Sequence, residues 1–275
     1  NTKNASGEYI FSGYNSRTPA FAKSGTGYVF QGDQGQRLLQ VADGTQLAVR
    51  DNGSDVFEGM RTGDGRFTLV SPATNTGGSL VTMTSTSDAD QEDYVITFSQ
   101  ANPDDDVIYS VIGSESGAVS TGIYEAGAAF SFQGITLEVE GAPGNGDSYQ
   151  VNRSERQGVF QTVRDIADSL LSDVNTPEQA AKLANDLSQS LSTLDQALEH
   201  LQSRRTIVGN RLQALDTRTN ENADERLTLQ TDISELEDID FAEAVSRLNL
   251  QSTALQAAQQ AYIKIQGLSL FNFLR

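Results

Sequence analysis

A long leucine repeat in the second half of the sequence constrains the fold of this chain more than any other feature. Apolar residues recur there at alternating intervals of four and three residues, a spacing typical of a helix that packs along one seam against another helix. If residues 177–236 form one helix, it extends roughly 90 Å at 1.5 Å per residue, which predicts a rod with a partner helix. The seam consists of Leu187, Leu191, Leu194, Leu198, Leu201, Val208, Leu212, Leu215, Leu229, Ile233 and Leu236.

Local signals predict where the rod begins and where its seam is weakest. Thr176 is placed to cap the helix, and Pro177 suits the first helical position because its missing N–H costs nothing there. The coil is predicted to be weakest from about residue 217 to 226. Four seam positions are polar: Arg205, Thr219, Asn222 and Arg226. The same pattern also permits an intramolecular helical hairpin without a second subunit.

A C-terminal segment over residues 237–275 is predicted to form an assembly helix with two apolar stripes. A helix that is apolar on two faces must be covered on both, which indicates burial between several copies of the chain. The second stripe contains Leu250, Ala254, Ala257 and Ala261. The residues of this segment predicted to form the assembly interface are Phe241, Val245, Leu248, Leu255, Tyr262, Ile265, Leu268, Leu270 and Phe271.

The first half of the sequence has the pattern of short antiparallel strands. Runs such as RFTLV, DYVITF and DSYQV are separated by glycine-rich turn signals, and this spacing predicts a sandwich or a compact sheet that folds without the helices. Gly134, Gly141 and Gly146 are predicted at turns or bulges. A further helix is expected over about residues 155–172, with one apolar face formed by Phe160, Val163, Ile166, Ala167, Leu170 and Leu171.

These patterns predict an α+β chain: a long coiled-coil helical rod with an antiparallel β-rich outer domain. The boundaries place a short first segment at 1–26 and the β-rich outer domain at 27–152. The coiled-coil helical domain then covers 153–236, and the C-terminal assembly helix covers 237–275.

Charge and composition exclude several classes of function. The net charge of −18 disfavours nucleic acid and anionic membranes as partners, and no segment has the pattern of a signal peptide or a membrane span. With no cysteine and a single histidine, His200, which is expected at the surface, no metal site, cofactor or catalytic triad is predicted. The acidic runs around Glu92 and at residues 104–106 are interpreted as solvated loops.

Several stretches of the sequence resemble proteins of the bacterial flagellum. Residues 209–271, with the Asp-Phe-Ala step at 240–242, are similar to the C-terminal part of flagellins and their relatives. The stretches NASGEYIFSGYNSRTPAF, YVFQGDQGQRLLQVADGTQLAVRDNGSDVF and GITLEVEGAPGNGDSYQV resemble one flagellin-like family, the hook-associated protein 3 family of hook-filament junction proteins. In that family two helical segments precede the stretch that begins here at Asn1 and pair with the C-terminal helices, so the resemblance implies that residues 1–26 are the end of an N-terminal helical half and its connection.

The resemblance implies a mechanical function without enzyme activity. Family members form a ring of identical subunits between the hook-proximal junction protein and flagellin, with the terminal helices in the inner tubes and the β-domain outside. They are exported without a cleaved signal peptide to the extracellular flagellum, and an export chaperone is expected to bind the C-terminal helix.

Two alternatives remain open at the level of the sequence. One is a filament flagellin, which belongs to the same structural class. The other is a flagellin-like surface adhesin whose β-domain binds glycans through exposed aromatic side chains such as Tyr94, Tyr109 or Tyr124.

Overall fold

A computed structural model describes residues 1–42, 44–86, 89, 92–237 and 241–267. The chain divides into two compact units, Asn1–Ala214 and Leu215–Arg275. The helices are α1 (Gly53–Phe57), α2 (Val159–Leu170), α3 (Pro177–Glu237) and α4 (Phe241–Gly267). The strands are β1 (Phe21–Ser24), β2 (Gly27–Phe30), β3 (Leu38–Ala42), β4 (Thr45–Ala48), β5 (Met60–Arg61), β6 (Phe67–Val70), β7 (Leu80–Ser85), β8 (Tyr94–Ser99), β9 (Ile108–Gly113), β10 (Gly117–Ile123), β11 (Ala129–Phe132), β12 (Ile135–Glu140), β13 (Ser148–Arg153) and β14 (Arg156–Gln157).

Two antiparallel sheets form the centre of the first unit. The larger sheet has the strand order β10-β9-β8-β13-β6, and the smaller one has the order β11-β12-β7. Alternate residues of both sheets point into one shared core, as the period of two along each strand requires. The largest fully buried side chains include Phe67, Tyr94, Phe98, Leu137 and Tyr149. The predicted α+β class with an antiparallel β-rich region is therefore confirmed.

Three predicted turn glycines have the backbone conformation that favours glycine. Gly134 has φ +77°, Gly141 has φ +100° and Gly146 has φ +89°. Gly134 follows Gln133, which also has a positive φ, and the two form the tight turn of the β11–β12 hairpin. The prediction of turn positions for these glycines is confirmed.

Residues 1–26, assigned from the sequence to the end of a helical half and its connection, form turns, one isolated bridge and β1. The side chain of Asn1 bonds the backbone of Phe21 in both directions, at 2.8 and 2.9 Å. Glu8 forms an ion pair with Arg50 and accepts a hydrogen bond from Ser16, and these bonds hold the pKa of Glu8 down at about 2. Polar contacts thus attach this segment to the rest of the first unit.

Helix α2 begins later than the sequence predicts. The expected start at about residue 155 is wrong because residues 156 and 157 form β14, which pairs with β5. The expected apolar face is also not the buried one: Thr162 is the buried residue of this helix, whereas Val163, Leu170 and Leu171 are exposed. Phe160 packs edge-on against Phe21 at a centroid distance of 5.1 Å.

The rod predicted from the leucine repeat is one continuous helix of 61 residues, α3. Its start follows the predicted capping: Thr176 Oγ1 accepts a hydrogen bond from the backbone N–H of Gln179 at 3.3 Å, and Gln179 Oε1 accepts one from the N–H of Thr176 at 3.2 Å. This reciprocal arrangement is a capping box. Helix α4 adds a further 27 residues.

Candidate assembly surface

One side of α3 is docked onto the sheets of the first unit through small and polar residues. The buried residues of the helix are Ala181, Asn185, Thr193 and Ala197, which recur at multiples of four and so lie on one face. None of the leucines of the predicted seam belongs to this docked face. The docked face is therefore defined by hydrogen bonds rather than by apolar packing alone.

The docked face supplies hydrogen-bond partners to one edge strand of each sheet, β6 in the larger and β7 in the smaller. Asn185 Oδ1 accepts from the backbone N–H of Val81 in β7 at 2.9 Å, and its Nδ2 donates to the carbonyl of Ser79 at 3.0 Å. One helical turn later, Gln189 Oε1 accepts from the N–H of Leu69 in β6 at 3.1 Å. Because β6 and β7 lie at the ends of their sheets, these N–H groups have no neighbouring strand to bond.

The same polar contact continues through a second bond of Gln189 and, one turn later, through Thr193. Gln189 Nε2 donates to Thr68 Oγ1 at 2.7 Å, and Thr193 Oγ1 accepts from the backbone N–H of Gly63 at 2.9 Å. Thr193 also donates to the carbonyl of Gln189 within its own helix at 3.0 Å, so this hydroxyl is used twice. Buried polar groups are stable only when they are paired in this way.

Towards the C-terminus of α3, beyond the docked face, His200 and Arg211 contact the segment around α1. His200 Nε2 donates to the carbonyl oxygen of Asp55 at 2.8 Å, which fixes the proton on this nitrogen because a carbonyl oxygen only accepts. Arg211 forms a bidentate ion pair with Asp51, with distances of 3.0 and 2.8 Å. The expected surface position of His200 agrees with its partial exposure, and its ring is bonded to this segment.

The predicted seam lies on the other side of α3 and is covered only in part. Leu191 is 59% exposed and Leu212 is 57% exposed, whereas Leu187, Leu194 and Leu201 are half-buried. The remaining seam residues are all exposed: Leu198, Val208, Leu215, Leu229, Ile233 and Leu236. The helix therefore presents a row of apolar side chains to solvent over most of its length, which is costly in water.

None of the residues of helix α4 is buried. Phe241 is 82% exposed, and the other predicted interface residues of this helix are exposed as well: Val245, Leu248, Leu255, Tyr262 and Ile265. Leu268, Leu270 and Phe271 lie outside the described residues. Both stripes predicted for α4 thus remain available to a partner, and the interface assignment stays a prediction.

Of the aromatic side chains proposed for glycan binding, one is buried and two are partly buried. Tyr94 is 0% exposed, Tyr109 stacks on Phe130 at a centroid distance of 4.1 Å, and the hydroxyl of Tyr124 donates to the carbonyl of Gly141 at 2.7 Å. The expectation of an exposed side chain is wrong for Tyr94, whereas Tyr109 and Tyr124 pack against the core and stay partly exposed. The adhesin alternative therefore loses one of the three residues on which it was based.

Glu92 also differs from its predicted role as part of a solvated loop. Its carboxylate is nearly buried and accepts hydrogen bonds from the hydroxyl and the backbone N–H of Ser116 and from the N–H of Glu115. The hydroxyl of Ser116 and the two backbone donors hold the pKa of Glu92 below its usual value. This carboxylate organises the turn between β9 and β10.

The described residues show neither a metal centre nor a membrane helix. Among them, no three His, Asp or Glu side chains cluster in a way that would hold a metal ion. No helix in the described part of the chain has the length and hydropathy of a membrane span.

Sequence reasoning identified the seam but missed the docked face. Asn185, Gln189 and Thr193 are spaced four residues apart and so lie along one ridge of the helix. This spacing is the one signal that could have revealed them. A polar stripe of this kind normally indicates a solvated face of a helix. It becomes a docking face here only because two strand edges with free N–H groups lie opposite.

The chain is similar to known proteins of the bacterial flagellum. Residues 191–274 match the model of the bacterial flagellin C-terminal helical region. A crystal structure of FlgL from Xanthomonas campestris is similar with a TM-score of 0.77 and 31% sequence identity, over 86% of this chain and 76% of that one. Flagellar hook-associated protein 3 from Legionella pneumophila has a TM-score of 0.82 and 30% identity, over 87% and 76% of the two chains.

A crystal structure of the flagellar junction protein FlgL from Legionella pneumophila gives a TM-score of 0.72 at 30% identity, over 79% of this chain and 74% of that one. A comparison with curated proteins finds no match. Each of these relatives is at least 30% identical to the chain, which matches more than two thirds of each relative's length. The chain belongs to the FlgL family of flagellar hook-associated junction proteins, hook-associated protein 3.

Proposed function

We propose that this chain is a structural protein that joins the flagellar hook to the flagellin filament, and that the joint is made by coiled-coil packing of helices from neighbouring subunits. The observation that carries the proposal is the two-sided character of α3. One side is fixed to the β-sandwich by Asn185, Gln189 and Thr193, while most of the leucine seam on the other side is exposed. The docked side gives the seam a defined position for assembly.

The energy for assembly would come from the uncovered apolar side chains. Each square ångström of apolar surface removed from water contributes about 25 cal/mol, and the seam together with both stripes of α4 offers many such side chains. Burial on assembly would couple the ordering of these helices to the meeting of subunits. The coiled-coil seam would then determine how neighbouring subunits align.

The partners follow from this role. The chain would form a ring of identical subunits, in contact with the hook-proximal junction protein on one side and with flagellin on the other. It would act in the extracellular flagellum after export without a cleaved signal peptide, with an export chaperone binding the C-terminal helix before assembly. Two solved relatives support this assignment, one described as a flagellar junction protein and the other as a flagellar hook-associated protein.

The same reasoning supports a role without catalysis or cofactor. The ionisable side chains with displaced pKa values are engaged in local structure: Glu8 bonds Arg50, and Glu92 organises a turn. A non-enzymatic, mechanical role is consistent with these assignments.

A filament flagellin is the second candidate, because the helical region of residues 191–274 matches the flagellin C-terminal model. Deleting the gene in the bacterium that carries it separates the two functions. Loss of a junction protein should leave hooks in place and shed unassembled flagellin into the medium. Loss of the flagellin itself would leave no flagellin to shed, and that result would refute the junction role.

Substitutions on α3 test the packing mechanism. Leu212→Asp places a charge on the seam, where burial of an unpaired carboxylate opposes packing. Asn210→Asp adds the same charge at an exposed position off the seam of the same helix. In a complementation assay the Leu212 variant should fail to restore swimming and should shed flagellin, whereas the Asn210 variant should swim. Normal swimming with Leu212→Asp and Leu194→Asp would exclude the seam as the assembly element.

A further inference from the structure

Two arginine side chains face each other where β5 pairs with β14. Arg61 and Arg156 are direct partners in the antiparallel register, and both are exposed. Residues directly opposite each other in such a register lie on the same face of the sheet, with Cβ atoms about 4.5–5.5 Å apart, and like charges in these positions destabilise the pairing. This arrangement is unusual in a chain that has 19 basic and 37 acidic residues. Arg61 and Arg156 are called the arginine pair.

The arginine pair lacks a carboxylate partner among the described residues. In that part of the chain, no Asp or Glu oxygen lies within 4.0 Å of either guanidinium group. Arg61 donates to the backbone carbonyl of Ser154 at 2.9 Å, whereas the nearby Arg153 pairs with Asp93 at 3.4 Å. An anionic group placed between the two guanidinium groups would remove their repulsion and accept charge-assisted hydrogen bonds from both. The arginine pair therefore suits a carboxylate that these residues do not supply.

The loop between β8 and β9 has the opposite charge. Asp104, Asp105 and Asp106 are consecutive and exposed, and residues 100–107 include no lysine or arginine. Asp105 accepts a hydrogen bond from the side chain of Asn102 at 2.7 Å, which orders the loop. None of the ion pairs within the described ranges involves these carboxylates. The three aspartates are called the acidic loop.

The arginine pair and the acidic loop lie towards opposite ends of the larger sheet. Strand β8 begins at Tyr94, which is paired with Val151 of β13, and it ends at Ser99, directly before the acidic loop. Strand β13 runs in the other direction and leads towards β14 past the start of β8, where the backbone N–H of Arg153 donates to Asp93 at 2.8 Å. The length of β8 separates the two ends by roughly 20 Å at about 3.3 Å per residue. The two charged groups of one copy are therefore too far apart to pair with each other.

We propose that the acidic loop of one copy of this chain binds the arginine pair of a second copy in a head-to-tail contact. Complementary charge identifies the occupant: both copies have a net charge of −18, so most other pairs of surfaces bring carboxylates together, whereas the arginine pair attracts them. Because the contact joins two different patches, each copy keeps one patch for a further copy, and the contact can close a ring or extend an array. Exposed ion pairs are individually weak, so the contact is expected at high local concentration and low salt. The inference does not depend on the junction role.

An exchange of charges in the full chain tests this contact. Arg61→Glu with Arg156→Glu makes the arginine pair acidic, and Asp104→Lys with Asp106→Lys makes the acidic loop basic. In either variant alone, the two patches have the same sign of charge and repel each other. In an equal mixture, the acidic patch of the first variant can bind the basic loop of the second. The unchanged patches of the two variants also remain complementary, so the mixture restores both contacts.

Because the chain has no cysteine, introduced thiols report the approach of the two patches. Ala101→Cys lies beside the acidic loop and Glu155→Cys lies beside the arginine pair, and both positions are exposed. For each sample, a population with the first thiol is mixed with a population with the second, and a short bis-maleimide joins them. The rate of joining between the two populations is measured. Contacts through the helices are the same in all samples, so differences in rate isolate the charged patches.

Each charge variant alone should cross-link roughly tenfold more slowly than the parent, because like charges then face each other. The mixture of the two variants should recover most of the parent rate, and added salt should lower the parent rate by screening. Circular dichroism confirms that each variant is folded, and Arg156→Glu alone, which leaves the bond of Arg61 to Ser154 in place, should retain most of the effect.

Three outcomes would overturn the proposal: equal rates for the parent and both variants, a mixture no faster than its components, or a parent rate that is independent of salt. Inorganic phosphate provides a further check on the occupant. If it binds the parent and not the arginine variant while the parent shows no faster cross-linking, the arginine pair is a site for a free anion and not for a second copy.

Discussion

Asn185 in the long helix accepts a hydrogen bond from the backbone N–H of Val81 in an edge strand, with a distance of 2.9 Å. The same side chain donates to the carbonyl of Ser79, so one amide replaces the two bonds that a neighbouring strand would form. Edge strands expose N–H and C=O groups that pair readily with other chains. The helix therefore closes this side of the sandwich while its leucine seam faces away.

Asn185→Ala should destabilise the first unit. The substitution leaves the N–H of Val81 buried without a partner, whereas the carbonyl of Ser79 keeps a long bond from the hydroxyl of Tyr149 at 3.4 Å. The free energy of unfolding in urea should therefore fall by about 1–3 kcal/mol, the cost of one unsatisfied buried group. Ser203→Ala, at an exposed position of the same helix, serves as the control and should change it by less than about 0.5 kcal/mol. Equal stability of both variants would show that the amide is dispensable.

Glu92 should contribute stability that depends on pH. The pKa of this carboxyl is lowered in the folded protein by the hydroxyl of Ser116 and two backbone N–H donors, so the folded state binds its proton less tightly than the unfolded state. The contribution is present above the unfolded pKa of about 4.3 and is lost as pH falls through the lower folded pKa. Unfolding measured at pH 7 and pH 3 should show a smaller loss of stability in Glu92→Gln than in the parent protein. An identical loss in both would contradict this role for Glu92.

Gly134→Ala should cost more stability than Gly127→Ala. Both glycines have a positive φ, near +77°, which strains any residue with a Cβ. Only at Gly134 would the Cβ also collide, at 2.7 Å from Thr86 Oγ1 and 2.9 Å from Ala89 Cα, while nothing lies within 4 Å at Gly127. We expect about 1–2 kcal/mol from strain at Gly127 and a larger loss at Gly134 in thermal unfolding. A greater loss at Gly127 would be incompatible with these geometries.

The sequence predicted features that arise from local periodicity. The strands, the turn at Gly134 and the cap at Thr176 each follow from neighbouring residues and therefore agree with the structure. The α2 start failed for a tertiary reason, since residues 156–157 pair with β5, a strand about 95 positions earlier. Long-range pairing of this kind cannot be read from helix propensity.

The candidate site was predictable only in part. The leucine seam follows from its heptad spacing, but the role of Gln189 depends on the N–H of Leu69, 120 residues away in the chain. Tyr94 was assigned to the surface because an aromatic residue in a strand has no intrinsic side, and its direction is fixed only by which face of the sheet is covered. The role of Gln189 depends on which strand edge lies opposite the helix, and the direction of Tyr94 depends on which face of the sheet is covered.

The docked face of α3 also predicts how far the β-sandwich depends on that helix. The sequence suggests that the strand-rich region folds without helices, yet the N–H groups of Leu69 and Val81 find their acceptors on Gln189 and Asn185. A fragment of residues 1–157 retains all fourteen strands and lacks these acceptors. We expect it to melt at least about 5 °C below a fragment of residues 1–214, because it loses the contacts of Asn185, Gln189 and Thr193 together and each 1 kcal/mol lowers the melting temperature by about 2–4 °C in a domain of this size. Its bare edges should also make it associate at high concentration.

A 1–214 fragment in which Asn185, Gln189 and Thr193 are all changed to Ala tests the cause, because it keeps the helix and removes its polar contacts. This variant should approach the melting temperature of the shorter fragment. If the 1–157 fragment melts with the 1–214 fragment and remains monomeric, the sandwich does not need the helix, and α3 serves assembly alone.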